Sequence, residues 1–525
     1  MKSGSSWLKS VRIVLAALMF AAITILFLDF TGLVHHWLGW TAKIQFLPAL
    51  LALNFGIVIV LLLLTAVFGR LYCSVICPMG ILQDIIAWFG TRSKKNRNKY
   101  HYTKAKSILR YSVLGIFAVL MFFGLNSVAI LIAPYSAYGR IAQNLFSPVY
   151  RAGNNLLAYA AERLDSYAFY PTEIWIRSIS TFLIALVTIA VIGVLAWRGG
   201  RTWCNTICPV GTLLGVISKY ALFKPVIDSE KCIRCHACEK RCKASCIDSE
   251  NHRIDASRCI TCMNCISNCH KGAIQYKMTW FKKRKQQDLV SGNTPEPTVL
   301  DTNEAIKPET DDAVVSNARR GFIMSLPALA LSSAAAAQDK LTDGGMAVLK
   351  ERQQPDRGEF SLVPAGARSY RNLSMRCTGC QLCVSNCPNG VLRPATSLRH
   401  LMQPQMGFDK GFCRPECTRC SEVCPTGAIQ PIKPAEKSSI QIGHAVWEKS
   451  LCLSSAEGTK CGNCARHCPN GAIEMIEIDG LNGEKVEVPS IDDGRCIGCG
   501  ACEYVCPVRP ISAIHVVGHE VHTEI

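Results

Sequence analysis

Apolar and polar positions are spread unevenly along this chain. Four long apolar runs fall in the first 200 residues, at about 11–30, 46–68, 108–133 and 179–197. A helix needs about 20 apolar residues to cross a bilayer, so the pattern predicts four membrane-spanning helices. Their length and near-absence of charge argue against buried helices of a soluble core. Beyond residue 200 short hydrophobic pieces alternate with groups of cysteines, which predicts small α+β units rather than one large core. Residues 282–317 are polar, lack aromatics and carry a basic run followed by Pro, Glu, Asp and Thr, and read as a disordered linker. At 525 residues the chain allows about three or four domains.

Charge adds orientation. Lys2, Lys9 and Arg12 stand at the start of the first run. Arg92, Lys94, Lys95, Arg97, Lys99, Lys104 and Lys106 fill the loop between the second and third, and Arg198 and Arg201 follow the fourth. Positive residues favour the cytoplasmic side, so the N-terminus and the end of the fourth run are expected there. Much of the net charge of +18 is explained in this way, and nucleic acid is not expected as a partner. The first apolar run lacks a small-residue cleavage site, so no cleavable signal peptide is expected.

Cysteine decides the chemistry. Sixteen of the 29 cysteines lie between Arg376 and Cys506 in four groups. Cys377, Cys380, Cys383, Cys387 and Cys496, Cys499, Cys502, Cys506 match C-x2-C-x2-C-x3-C-P, the ferredoxin run for [4Fe–4S] clusters. Cys413, Cys417, Cys420, Cys424 and Cys452, Cys461, Cys464, Cys468 differ by a wider first gap. Two-residue gaps curl the backbone round one cubane with N–H groups toward its sulfurs, while the fourth Cys ligates the neighbouring cluster. The Pro that follows it turns the chain away. One such run also suits zinc; four in succession point to iron. The chain is too long, and its spacings too regular, for a disulfide scaffold.

Two more runs precede the linker: Cys232, Cys235, Cys238, Cys242 and Cys259, Cys262, Cys265, Cys269. Here Lys243 and His270 replace the Pro, and Cys246 is a spare thiol that rivals Cys242 as ligand. The Ile-Asp-Ala-Ser-Arg before Cys259 and Gly-Ala-Ile after Cys269 fit the short strands of a two-cluster ferredoxin; Gly-Ala-Ile recurs after Cys424 and Cys468. Cys232-x-x-Cys235-His236 also reads as a c-type haem attachment, but its cysteines belong to a complete ferredoxin run.

Near-copies follow the second and fourth apolar runs: Cys73-Ser-Val-Ile-Cys77-Pro78-Met-Gly80 and Cys204-Asn-Thr-Ile-Cys208-Pro209-Val-Gly211. Their matching positions suggest two related helix pairs. The four thiols suit a further iron–sulfur centre, a metal site or a redox dithiol pair; the plainer reading is small cysteines closing helix ends. Arg319-Arg320-Gly-Phe322 precedes an alanine-rich apolar run to Ala337, as in a twin-arginine export address. Clusters are inserted in the reducing cytoplasm, so a domain carrying them is expected to cross already folded.

The first 280 residues resemble the NapH family of membrane ferredoxins, with four spans, two C-x3-C-P motifs and a two-cluster domain. The part from Arg319 onward resembles the MauM/NapG family of exported four-cluster ferredoxins. The division expected is 1–222 for a four-helix transmembrane bundle, 223–280 for an α+β 2[4Fe–4S] ferredoxin and 281–317 for a linker. Then come 318–338 for a signal or anchor helix, 339–370 for a connector and 371–525 for a 4[4Fe–4S] double ferredoxin. The resemblance implies an inner-membrane quinol dehydrogenase module. It would feed electrons from the quinol pool through six [4Fe–4S] clusters to a periplasmic reductase or its cytochrome c, nitrate reductase being the best-known case. It implies one cluster on Cys232, Cys235, Cys238 and Cys269, and another on Cys259, Cys262, Cys265 and Cys242. In the exported domain it pairs the outer runs with each other and the inner runs with each other: Cys506 completes the first run, Cys387 the last, Cys468 the second and Cys424 the third. Sequential pairing is the alternative.

No P-loop or dinucleotide fingerprint marks bond-breaking chemistry. Arg376, Lys460, Arg466 and Arg495 either raise cluster potentials or are ordinary solvated residues. His35 and His36 are either proton acceptors from quinol or an interfacial pair. The rival function is a membrane polyferredoxin that reduces a metal or thiol during maturation or regulation of another enzyme. Roughly 30 Å of hydrocarbon separates the two sets of clusters, and no residue in the spans is an evident haem ligand. Either a quinone carries electrons across, or the domains meet at one surface, or residues 321–337 do not cross and all six clusters are cytoplasmic.

Overall fold

The first and fourth apolar runs fold as unbroken helices, Ser3–Leu28 and Ile179–Gly199. The computed structural model describes residues 3–92, 100–166, 168–172, 174, 177–279, 342–343, 347–348, 352–479 and 485–525. The expected linker, the Arg319-Arg320 pair and the apolar run to Ala337 lie outside the described residues. Among the described residues, two helices are long and apolar enough to cross a membrane, Trp7–Leu28 and Ile179–Gly199.

The second and third runs are interrupted, so among the described residues two of the four expected spans are unbroken helices. Run 46–68 is two helices, Phe46–Leu51 and Phe55–Phe68. Between them Leu53 adopts φ 56°, and the Asn54 side chain accepts the Ile57 N–H at 3.3 Å. A short amide in an apolar stretch is a helix start signal that averaged hydropathy overlooks. Run 108–133 ends its first helix, Ser107–Phe122, at Gly124 with φ 73°, where glycine relieves the left-handed turn, and resumes as Asn126–Ile132. Asn126 then donates to the carbonyls of Ser374 and Met375 in the C-terminal domain.

Both Cys-Pro motifs have one build. A five-residue helix (Leu71–Val75, Thr202–Thr206) holds the first Cys and ends two residues before the second, and Pro opens the next helix (Pro78–Arg92, Pro209–Ser218). Proline suits a first turn, whose N–H groups have no intrahelical partner. The repeats then cross: Ile179–Gly199 packs on Pro78–Arg92, and Phe55–Phe68 packs on Pro209–Ser218. The stretch between the third and fourth runs is helical too, as Pro134–Ile141, the π-helical Ala142–Phe146 and Ser147–Glu162. Tyr135, Tyr138 and Arg140 of its first helix are fully buried.

The first ferredoxin pairs Phe223–Ile227 with Ile274–Met278 and Ile247–Asp248 with Arg253–Ile254, all antiparallel. These strands flank the cysteine runs as the sequence predicts. The C-terminal domain pairs Ile440–Trp447 with Ile514–Glu524, Ile473–Asp479 with Lys485–Ile491, and Leu392–Pro394 with Pro404–Met406.

Helix Ser3–Leu28, about 39 Å long at 1.5 Å per residue, separates the two ferredoxin parts. Near its start Lys9 donates to Ser267 of the first ferredoxin. Just past its end the Arg419 guanidinium lies against Gly32. The first ferredoxin thus sits at one end of this helix and the four-run domain at the other.

Gly80 and Gly211 occupy the tightest points of the crossed repeats. A Cβ at Gly80 would lie 2.4 Å from both Arg201 Nη1 and the Cys73 carbonyl; at Gly211 it would lie 2.4 Å from the Cys204 carbonyl and 2.8 Å from Arg70 Nη2. Gly80→Ala is expected to destabilise the purified protein by about 1–3 kcal/mol, as overpacking does. Thermal unfolding in detergent reads this, and an unchanged midpoint would show that the repeats can part there freely.

Candidate metal centres

In four of the six ferredoxin runs the residues on either side of the second cysteine are left-handed. They are Arg234 and His236 (φ 53° and 55°), Thr261 and Met263 (52° and 61°), Gly379 and Gln381 (60° and 64°), and Gly498 and Gly500 (73° and 78°). Five of these eight carry side chains, which rarely adopt this conformation without a compensating constraint. Backbone N–H groups point at sulfur, inside the curl from Gly379 to Cys377 at 3.3 Å, and beyond the fourth cysteine from Ala273 to Cys269 at 3.2 Å, Ala472 to Cys468 at 3.2 Å and Ile429 to Cys424 at 3.4 Å. Burial pushes the Cys380, Cys238 and Cys464 thiols up to about 11. Buried thiolates need a cation to take their charge. Thiols in fours, N–H donors on their sulfurs and strained curls fit cubane clusters.

In the first ferredoxin Cys232, Cys235, Cys238 and Cys269 line one cavity of about 130 Å³. Cys259, Cys262, Cys265 and Cys242 line another, matching the expected pairing. Cys246 is buried in the second cavity, 3.6 Å from the Cys242 sulfur and in contact with Cys259, so both rival thiols face one site. His236 is held by Ser249 at 2.7 Å and Glu239 at 3.1 Å, which occupies its Nδ1 locally.

The C-terminal pairing is sequential, and this corrects the outer-with-outer expectation. Cys383 has Cys377, Cys380, Cys424 and Cys420 as electrostatic neighbours, and Cys424 is the neighbour of Cys377 and Cys380. Cys387 neighbours Cys413 and Cys420. Cys468 neighbours Cys496 and Cys499, and Cys506 lines a cavity with Cys452, Cys461 and Cys464. Adjacent runs are joined by short connections and fold as one ferredoxin unit, so each fourth Cys reaches its nearest partner in sequence.

The C-x3-C-P thiols, 131 residues apart in sequence, converge. Cys77 has Cys73 and Cys204 as neighbours, and Cys208 has Cys204, Cys77 and Cys73. All four are buried. Two buried arginines cross between the motifs. Arg70 Nη2 lies 3.9 Å from the Cys73 sulfur and donates to the Cys204 carbonyl at 3.2 Å. Arg201 Nη1 lies 3.9 Å from the Cys204 sulfur and donates to the Cys73 carbonyl at 2.8 Å. Gln83 adds an N–H to the Cys204 sulfur at 3.3 Å.

Of the other residues singled out, Lys460, Arg466 and Arg495 are exposed, and Arg495 pairs with Glu474 and Asp492; Arg376 is half-buried. A buried cation placed against a cluster run is Lys437, which donates to the Arg414 and Cys417 carbonyls at 2.5 and 2.6 Å beside Cys413 and Cys420. Nothing in its sequence context distinguished it. His35 meets the Glu422 backbone at the interface with the C-terminal domain, and burial with nearby Lys43 holds its imidazole below the usual value. His36 packs edge-on against Trp37.

A family profile described as a 4Fe-4S binding domain matches residues 50–97 and 180–227, the two C-x3-C-P repeats. A profile described as a 4Fe-4S dicluster domain matches 376–437 and 459–509, one match per sequentially paired unit. The methylamine utilization ferredoxin-type protein MauM of Methylobacillus flagellatus is 31% identical over 185 residues, 34% of this chain and 75% of that protein. MauM of Methylorubrum extorquens is 31% identical over 174 residues, 30% of this chain and 74% of that protein. The ferredoxin-type protein NapF of Escherichia coli is 27% identical over 143 residues, 27% of this chain and 78% of that protein. No solved structure matches.

Sequential pairing makes a distinctive prediction. The double variant C387S/C413S should lose no more iron and sulfide than either single variant, whereas C387S/C496S should lose two clusters' worth; the reverse would restore the outer pairing. Lys437→Gln should lower the midpoint potential of one C-terminal cluster, read by EPR redox titration, because a positive charge beside a cluster favours its reduced form.

Proposed function

We propose that this chain, which belongs to the family of the ferredoxin-type protein MauM, is a membrane-bound module passing electrons from quinol to a periplasmic reductase or its cytochrome c. Iron–sulfur electron transfer is what the ferredoxin-type relatives and both 4Fe-4S profiles share with it. The observation that carries the finer reading is the position of the two ferredoxin parts at opposite ends of a helix long enough to span a bilayer. Lys9 and Arg12 at its start mark the cytoplasmic end, leaving the four-run domain outside.

Bound [4Fe–4S] clusters supply reversible one-electron chemistry at near-constant geometry. The chain's part is to hold them. Six sets of four ferredoxin cysteines fix their positions, backbone N–H groups set the charge on each sulfur, and Lys437 adds a buried cation. The C-x3-C-P thiols are read as a further iron–sulfur centre, in keeping with the profile that matches both repeats. The likeness to NapH and NapG supports quinol as the donor, with nitrate reductase one candidate acceptor. The second reading, reduction of a metal or thiol during maturation of another enzyme, is favoured by the gathering of four thiols outside the ferredoxin runs.

Purified protein in liposomes should show its clusters reduced by a menaquinol analogue under anaerobic conditions, followed by bleaching of the brown absorbance and by EPR. Clusters that respond to dithionite but not to quinol would leave the maturation role as the better account.

A further inference from the structure

We infer that the two C-x3-C-P repeats jointly build one charge-matched iron–sulfur centre and that this centre is the electron relay between the two ferredoxin parts. The inference rests on the reading of the chain as an iron–sulfur protein, and it adds stoichiometry, charge partners and place.

Stoichiometry follows from the crossing. Each repeat brings two thiols, too few for a cubane, and the crossed helices gather all four at one spot. The profile that matches twice therefore describes two halves of a single site.

Charge follows from the cations buried with it. Arg70 and Arg201 are fully buried, each against a cysteine sulfur. Asp84 is the carboxylate at this place, and it is shared by Arg12, Arg201 and Lys243. The partners of Arg70 are the Asn205 carboxamide, the Ser257 and Cys204 carbonyls and the Cys73 sulfur. Four cations thus meet one carboxylate where charge is costly to bury alone. Four thiolates around an oxidised [4Fe–4S] core form a dianion, which offsets that excess together with the adjacent site of Cys259; neutral dithiols or disulfides would leave it to that site alone. A zinc ion with four thiolates carries the same charge, and metal analysis separates the two.

Place follows from the neighbours on either side. Toward the first ferredoxin, Arg70 reaches Ser257 and is an electrostatic neighbour of Cys259, while the Arg201 N–H donates to the Lys243 carbonyl at 2.8 Å. Toward the C-terminal domain, Tyr72 neighbours Cys73, Cys77 and Cys208. Tyr135 neighbours Tyr72 and, beyond it, Cys380 and Cys424. Both tyrosines are buried, and Phe27 flanks Tyr135 at 5.8 Å between ring centroids. A succession of buried groups, each within electrostatic reach of the next, therefore joins the Cys259 site of one ferredoxin to the Cys380 and Cys424 site of the other through the four thiols. Each transfer along it moves one electron: the donor cluster is oxidised by one, the acceptor reduced by one, and no bond or proton changes hands.

The test uses the full chain reconstituted in sealed liposomes and selected for vesicles with the first ferredoxin outward. In C77S/C208S, iron and sulfide should fall by one cluster's worth, while EPR still finds the six ferredoxin clusters. Dithionite added outside should then reduce the first ferredoxin normally and the C-terminal clusters slower by an order of magnitude or more. Unchanged iron, zinc in place of iron, or unchanged transfer would overturn the inference while the ferredoxin clusters stand. Absence of those clusters from the wild-type protein would overturn the underlying reading as well. A second handle does not remove a ligand: Arg70→Gln should lower the midpoint potential of this centre and Arg70→Lys should restore most of it. No potential change in Arg70→Gln would overturn the charge match.

Discussion

A sulfur anion in a protein interior needs positive charge close by, and the described structure is organised around that need. In the ferredoxin parts it is met by iron together with N–H groups that point at sulfur. The apolar side chains there are few and the strands short, so clusters replace a conventional core. In the helical part of the chain the same need gives a reason for two buried arginines, Arg70 and Arg201, at the ends of apolar helices. Each lies against a sulfur of its own repeat and donates across to a carbonyl of the other, tying the repeats together as well as balancing charge.

Crossed packing also explains the conserved form of the two motifs within this one chain. A short helix holds the first cysteine, proline opens the next helix, and glycine two positions later leaves room for the opposite arginine. Cys-Pro-x-Gly is thus one device used twice. The same geometry gives the interrupted helices a purpose. The break before Phe55 lets a short helix turn beside Tyr72, whose hydroxyl meets Gln45 and the Phe46 N–H. The break at Gly124 presents Asn126 to the C-terminal domain.

Much of the ferredoxin chemistry was legible in the sequence because ligand spacing is local. Two-residue gaps, the following proline and the Gly-Ala-Ile strands are set within about a dozen residues, and the structure gathers the eight run cysteines of the first ferredoxin, with Cys246, about two cavities. Less legible were features that depend on averages or on distant partners. Hydropathy over 46–68 and 108–133 hid Asn54 and Gly124, since one helix-breaking residue barely changes a mean. Arg376, Lys460, Arg466 and Arg495 drew notice by adjacency to cysteines, yet buried cations beside cluster runs include Lys437 and Arg70, which packing brings there.

By itself the sequence determined ligand identity, the two ferredoxin kinds and the apolar slab, because thiol spacing and hydrophobic length act through neighbouring residues. Only the tertiary structure decided which fourth cysteine completes which site, that Cys73, Cys77, Cys204 and Cys208 make a single group, and that Arg70 and Arg201 exchange partners. Those outcomes depend on how separately formed helices and loops pack, and packing joins residues whose separation along the chain carries no signal of their contact.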